Sequence, residues 1–113
     1  MIRGEVYDAR LDPIEGSEQG GNRPIIIVSR DTINQSSPLI IGVPCTTYRP
    51  NRRIYPSQIV IIAPEGGFDK DTIALGEQLR AISKTRLMAK RGNISPQILQ
   101  QLNRALSIAL DLL

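Results

Sequence analysis

Between Gly16 and Pro24 the chain reads Gly16-Ser17-Glu18-Gln19-Gly20-Gly21-Asn22-Arg23-Pro24. An acid, several amide and hydroxyl groups and an arginine thus surround paired glycines, immediately before a run of isoleucines. Glycine lets backbone approach a ligand closely, and the start of a strand fixes the base of Arg23 while Glu18 stays on a movable segment. The alternative reading is a glycine-rich hairpin whose charges only face water.

A second candidate is Thr46, which follows Val43-Pro44-Cys45 at the polar end of another apolar run. If the two runs are neighbouring strands, the hydroxyl of Thr46 and the guanidinium of Arg23 converge. Taken singly, Thr46 is equally a threonine ending a strand on β-propensity. Cys45 beside it has no histidine to activate it, so its expected role is packing. The third candidate is Glu77-Gln78-Leu79-Arg80, where strand alternation would put Glu77 and Leu79 on one face and Gln78 and Arg80 on the other. Further on, Arg49, Arg52 and Arg53 are interleaved with Tyr48 and Tyr55. Cations for phosphates and rings for base stacking are what single-stranded nucleic acid requires, although a basic loop is also an ordinary solvated surface.

The chemistry open to these groups is bounded by what the chain lacks. It has no histidine, which excludes imidazole as base, acid or metal ligand, including the Ser-His-Asp triad. The single cysteine forms no internal disulfide and no cysteine-cluster zinc site, in keeping with a reducing compartment. No metal or cofactor is expected. With 113 residues the chain is expected to be one domain spanning 1–113, too short for a cofactor domain beside a substrate domain. The longest apolar run, Leu39 to Cys45, falls far below the ~18 residues of a spanning helix, so a cytoplasmic protein with no membrane partner is expected. The net charge of +3 is uneven: residues 1–48 hold 4 basic and 6 acidic side chains, residues 49–113 hold 10 and 5. The basic half suits a polyanion.

The elements that must position these groups are short. Glu5 to Ala9 alternates like a half-exposed strand, and a polar loop follows over 15–22. Pro24 to Val28 and Leu39 to Val43 fit strands buried on both faces. Gln58 to Ile62, Thr72 to Leu75 and Gln78 to Ile82 are further strands of a mainly antiparallel sheet. Ser83 to Leu87 suggests a short helix stopped by Gly92. Ser95 as N-cap and Pro96 at the first helical position open an amphipathic helix with Ile98, Leu102, Ala105, Leu106, Ala109 and Leu113 on its apolar face. Mainly β structure with a C-terminal helix over one sheet face implies a small SH3-like barrel.

Arg3-Gly4-Glu5-Val6-Tyr7, the stretch from Gly16 to Val28, Cys45-Thr46, and the stretch from Glu77 to Leu87 occur in that order at characteristic spacing. Together they resemble the MazF/PemK family of toxins from type II toxin–antitoxin pairs, over almost the whole chain. The resemblance implies a homodimeric, sequence-specific endoribonuclease that cuts single-stranded RNA without metal. It also implies inhibition by a cognate, MazE-like antitoxin, expected to be acidic and partly disordered. The family's catalytic arginine and threonine match Arg23 and Thr46, and the acid implicated in some members matches Glu18. Ser17, Gln19, Gln78 and Arg80 match polar positions of the RNA groove; Tyr48, Arg49, Arg52 and Arg53 are further candidate RNA contacts. The sequence departs from the pattern at Thr47-Tyr48-Arg49 and at Gly76, where a larger apolar residue is common.

Such chemistry is feasible because the RNA 2′-OH is a built-in nucleophile. The protein need only align it with phosphorus, accept its proton, stabilise the developing charge and protonate the leaving 5′-oxygen. Arg23 suits the charge, Thr46 can donate to the phosphate or leaving oxygen, and Glu18 is the motif's natural proton acceptor. The competing reading is a CcdB-like, non-enzymatic toxin of the same superfold that binds gyrase; fold alone does not separate the two.

Overall fold

The computed structural model describes residues 1–113. Seven strands form one antiparallel array with the order β4-β5-β3-β2-β1-β7, and β6 lies beside β3. The strands are β1 (Glu5–Arg10), β2 (Asn22–Ile27), β3 (Leu39–Thr47), β4 (Gln58–Ile61), β5 (Thr72–Leu75), β6 (Arg80–Ser83) and β7 (Leu87–Asn93). Two helices complete the fold, α1 (Asp31–Ser36) and α2 (Pro96–Ala109). The sheet curls without closing, so β4 and β7 remain its edges; the SH3-like, half-closed barrel expected from the sequence is the architecture observed.

β3 organises the sheet. Along one side it pairs with β2, Ile25 opposite Pro44 and Ile27 opposite Gly42. Along the other it pairs first with β6, Ile40 opposite Ile82, and then with β5, Cys45 opposite Ala74. The β-branched run Ile25-Ile26-Ile27 is fully buried because β2 is covered on both faces. Each such side chain contributes about 1.5–3 kcal/mol relative to exposure. Alternation divides these side chains between two cores. Ile26 joins Val6, Val43, Cys45, Phe68 and Ala74 beneath α2, whereas Ile25 and Ile27 join Ala9, Leu11, Ile40 and Ile82 on the opposite face. The start of β3 departs from the expected burial on both faces, since Leu39 and Ile41 point to solvent between the buried Ile40 and Gly42.

α2 begins as its sequence dictates. The Ser95 hydroxyl accepts from the Ile98 amide at 3.3 Å, and Pro96 occupies the first turn, where no amide is needed. Leu102, Ala105 and Leu106 are buried under it. The apolar stripe ends sooner than its periodicity implied: the helix stops at Ala109, which is only half-buried, and Leu113 lies beyond it at 72% exposure.

Two segments correct the expected element order. Ser83 does cap a helical turn, but it is a single 3-10 turn, Lys84–Arg86, and the chain then extends through Gly92 as β7. β7 bears Lys90 and Arg91, is largely exposed, and is held through its backbone pairing to β1. Such charges also protect a sheet edge from further pairing. The strand expected from Gln78 to Ile82, with alternation from Glu77, starts later: Gly76–Gln78 is a 3-10 turn, and β6 starts at Arg80. Glu77 and Gln78 therefore do not alternate across a sheet. Gly76 explains the turn, because a Cβ there would meet the Ser57 carbonyl oxygen at 2.3 Å, the same oxygen that accepts the Gly76 amide at 3.0 Å.

Candidate functional site

Two clefts flank the start of β2 and hold most of the polar groups singled out by sequence. The first, about 260 Å³, is lined by Asn22, Arg23, Pro24, Cys45, Thr46, Thr47, Phe68, Asp69, Lys70, Thr72 and Arg91. The second, about 500 Å³, is lined by Ser17, Glu18, Gln19, Glu77, Gln78, Leu79 and Arg80.

Arg23 and Thr46 come together because of strand register. The antiparallel β2–β3 ladder runs out to the Ile25–Pro44 pair, and Arg23 and Thr46 each stand two residues beyond it on their strands, both lining the same cleft. Thr46 is further fixed on its other side by pairing with Ile73. Arg23 is half-buried, and its Nε donates to the Gly20 carbonyl at 3.0 Å. That bond uses the inner edge of the guanidinium and leaves the terminal nitrogens for an anion. Cys45 is fully buried, and burial pushes its thiol pKa far up, with Arg91 pulling weakly the other way. It is a packed neutral thiol, as expected.

Glu18 is brought to the second cleft, where it is exposed and its Oε1 accepts the Glu15 amide of its own loop at 2.6 Å. Loop and turn are tied across this cleft by the Gln19 amide, which donates to Gln78 Oε1 at 2.8 Å. The Gln19 side-chain oxygen is buried without a partner. Glu77 braces the turn from behind: its carboxylate accepts from Ser57 Oγ at 3.0 Å and from Gln58 Nε2 at 2.8 Å. The loop itself is closed at its root. The Leu11 amide donates to the Gly21 carbonyl at 2.9 Å, the Gly21 amide to Asp12 Oδ1 at 3.0 Å, and Arg86 donates to the carbonyls of Arg10 and Asp12.

Tyr48, Arg49, Arg52 and Arg53 line neither cleft. They lie between β3 and β4, where Arg53 stacks over the Tyr55 ring at 5.0 Å, so part of the expected cation and ring display is satisfied internally. Conversely, the structure adds Asn22, Asp69, Lys70 and Arg91 to the Arg23 cleft. No sequence signal marked Arg91, because its strand has neither alternation nor an apolar run. No three of the chain's Cys, Asp and Glu side chains gather as a metal-ligand set. No helix is long and apolar enough to cross a membrane.

Known proteins resemble this chain in sequence and in fold. Residues 2–110 match the family model described as PemK-like, MazF-like toxin of type II toxin–antitoxin system. The endoribonuclease MazF of Staphylococcus saprophyticus is 41% identical over 112 residues, covering 99% of this chain and 92% of that protein. In fold, the chain is similar to a mycobacterial endoribonuclease solved in complex with its cognate antitoxin, at a TM-score of 0.83 and 24% identity, covering 100% of this chain and 97% of the other. It is equally similar to MazF of Deinococcus radiodurans, at a TM-score of 0.83 and 21% identity, covering 98% and 96%. The half-closed barrel, the arginine and threonine on adjacent strands, and a match over nearly the full length lead to one conclusion: the chain belongs to the PemK-like, MazF-like toxins of type II toxin–antitoxin systems.

Proposed function

We propose that this protein is the toxin of such a pair and an endoribonuclease that cleaves single-stranded RNA at specific sequences, leaving 2′,3′-cyclic phosphate and 5′-OH ends. The observation that carries the reading is the meeting of Arg23 and Thr46 through the β2–β3 register at the mouth of one cleft. Attack by the 2′-OH builds negative charge on the phosphate oxygens, and the Arg23 guanidinium, oriented by Gly20, stabilises that charge. Thr46 donates a hydrogen bond to the phosphate or to the departing 5′-oxygen, which takes its proton from solvent water to leave as the 5′-OH. Glu18 is the candidate proton acceptor. It rides on the same loop as Gly20, so the carbonyl that orients Arg23 and the carboxylate that takes the proton move together. Ser17, Gln19, Gln78 and Arg80 line the neighbouring cleft and read the unpaired bases.

The chain acts as a single domain over 1–113, as a cytoplasmic homodimer, and is silenced by an acidic antitoxin segment that orders on binding. The Staphylococcus relative's activity and the mycobacterial neighbour's complex with its antitoxin support this assignment.

The test is incubation of the purified protein, with EDTA present, on end-labelled mixed-sequence single-stranded RNA beside an Arg23→Ala control. Cleavage by the wild type alone, at a few recurring positions and with cyclic ends, is expected. Intact RNA in both lanes would overturn the reading and direct attention to a supercoiling assay with gyrase, the target of the CcdB-like alternative.

A further inference from the structure

The Arg23 cleft contains a second guanidinium with no role in the mechanism above. Arg91 lies on β7, two strands away from Arg23, and reaches the same cleft. Its Nε donates to Asp8 Oδ1 at 2.7 Å, and both side chains are half-buried, at 27% and 29% exposure. Its terminal Nη1 lies 3.7 Å from Asp69 Oδ2, a loose contact with a carboxylate that is 89% exposed.

The two acids therefore play unequal parts. Asp8 grips the inner edge of the guanidinium on a strand, which fixes its plane. Asp69 stands at the rim as a solvated partner that an anion of better geometry displaces. The backbone adds to this fixation: a Cβ at Gly67 would meet the Arg91 carbonyl oxygen at 2.2 Å, so the Gly67 turn packs directly against β7. An arginine gripped at its inner edge beside a cleft, with only a loose contact at Nη1, repeats the way Gly20 holds Arg23.

We infer that Arg91 forms a second phosphate subsite, binding an RNA phosphodiester next to the scissile one, with Asp8 as its positioning residue. The inference rests on the ribonuclease reading. Lys70, on the same cleft wall, adds a less directional cation. The contact is made equally in ground and transition states, so it contributes to KM rather than kcat.

The experiment uses the full chain and a mixed-sequence 2′-O-methyl oligoribonucleotide, which lacks the attacking hydroxyl, in fluorescence anisotropy over a series of salt concentrations. Arg91→Ala is expected to weaken binding about tenfold at low salt and to flatten the log–log salt dependence by about 0.7, the value of one single-strand phosphate contact. Arg91→Lys is expected to retain the slope while losing part of the affinity, because it keeps the charge without the fork. Asp8→Ala is expected to weaken binding in the same direction, and adding it to Arg91→Ala to cost nothing more. With cleavable RNA, Arg91→Ala should raise KM and leave kcat within about twofold.

Wild-type affinity and slope in both Arg91 variants would overturn the subsite while leaving the nuclease intact. A wild type that binds with this pattern but cuts no RNA would uphold the subsite and overturn the nuclease. A wild type that does not bind would overturn both. Should Arg91→Ala fail to fold by circular dichroism, the lysine variant alone decides: affinity equal to wild type rejects the fork.

Discussion

In the cleft of Arg23 and Thr46 the walls are mainly strands, joined by the short segment Phe68 to Lys70, whereas the cleft of Glu18 and Gln78 is made from a loop, one 3-10 turn and the first residue of β6. Arg23, Thr46 and Arg91 each sit on a strand of the seven-stranded array, and moving any of them means breaking ladder hydrogen bonds. Glu18 hangs on hydrogen bonds to Glu15 of its own loop, and Gln19 on one from its amide to Gln78. Charge stabilisation requires donors fixed to a fraction of an ångström before the reaction, while base recognition tolerates donors that adapt. The strand-borne cleft suits catalysis and the loop-borne cleft suits selection.

The strongest way to break this division is at Arg23. Arg23→Ala should reduce the single-turnover cleavage rate by about 10³-fold or more, and Thr46→Ala by about 10²-fold with partial recovery in Thr46→Ser. Next comes Glu18→Gln, where the two clefts are set against each other. A proton acceptor in the transition state is worth about 10²-fold or more, so a loss of that size with an altered pH–rate profile is expected. Wild-type cleavage in this variant would confine Glu18 to the selecting cleft. Gln78→Ala should have a smaller effect, raising KM by up to about tenfold and changing the set of cut sequences with kcat little altered; sequencing of cleavage ends measures both.

The same contrast explains how much could be read from sequence. Ile25-Ile26-Ile27 and the Ser95-Pro96 cap declare themselves because burial and capping select residue types locally. The meeting of Arg23 with Thr46 was anticipated once their two runs were taken as neighbouring strands. β7 was not legible: its side chains are mostly solvated and its place is set by backbone bonds to β1, which any sequence can make. Arg91 was hidden with it. The helix α1 is too short to show periodicity, and is held by tertiary bonds such as that between the Arg3 amide and Asp31 Oδ1 at 2.7 Å. Glu77 and Gln78 read as strand residues in the sequence because nothing in their neighbourhood announces that Ser57 packs against Gly76 and turns the chain there.

The smallest expected effect sharpens the comparison from the side of stability. On the β1–β7 pair that supports Arg91, Glu5 Oε2 lies 2.6 Å from Lys90 Nζ, and Glu5 Oε1 accepts the Ile2 amide at 2.7 Å. Burial alone would raise the Glu5 pKa, but the bonds from Lys90 and Ile2 outweigh it and hold the carboxyl below its ordinary value. A group depressed on folding stabilises above its unfolded pKa, and that contribution disappears as pH falls through the folded pKa. Glu5→Gln should therefore be slightly less stable than wild type near neutrality, with the two denaturation curves converging below the ordinary carboxylate range. Acid should loosen the strand-borne cleft through this pair.

The tied root of the 11–21 loop has a consequence for how such a protein diversifies. Because Leu11 with Gly21, Asp12 with Gly21, and Arg86 with two carbonyls close the loop where it leaves the sheet, the residues beyond that knot are tied off from β1 and meet β2 through the Gly20 carbonyl that accepts from Arg23. The loop behaves as an exchangeable cassette. On the proposed reading its tip can be rewritten around Glu18 and Gly20, and with it the choice of sequence to cut, while the strand that supports Arg23 is inherited unchanged.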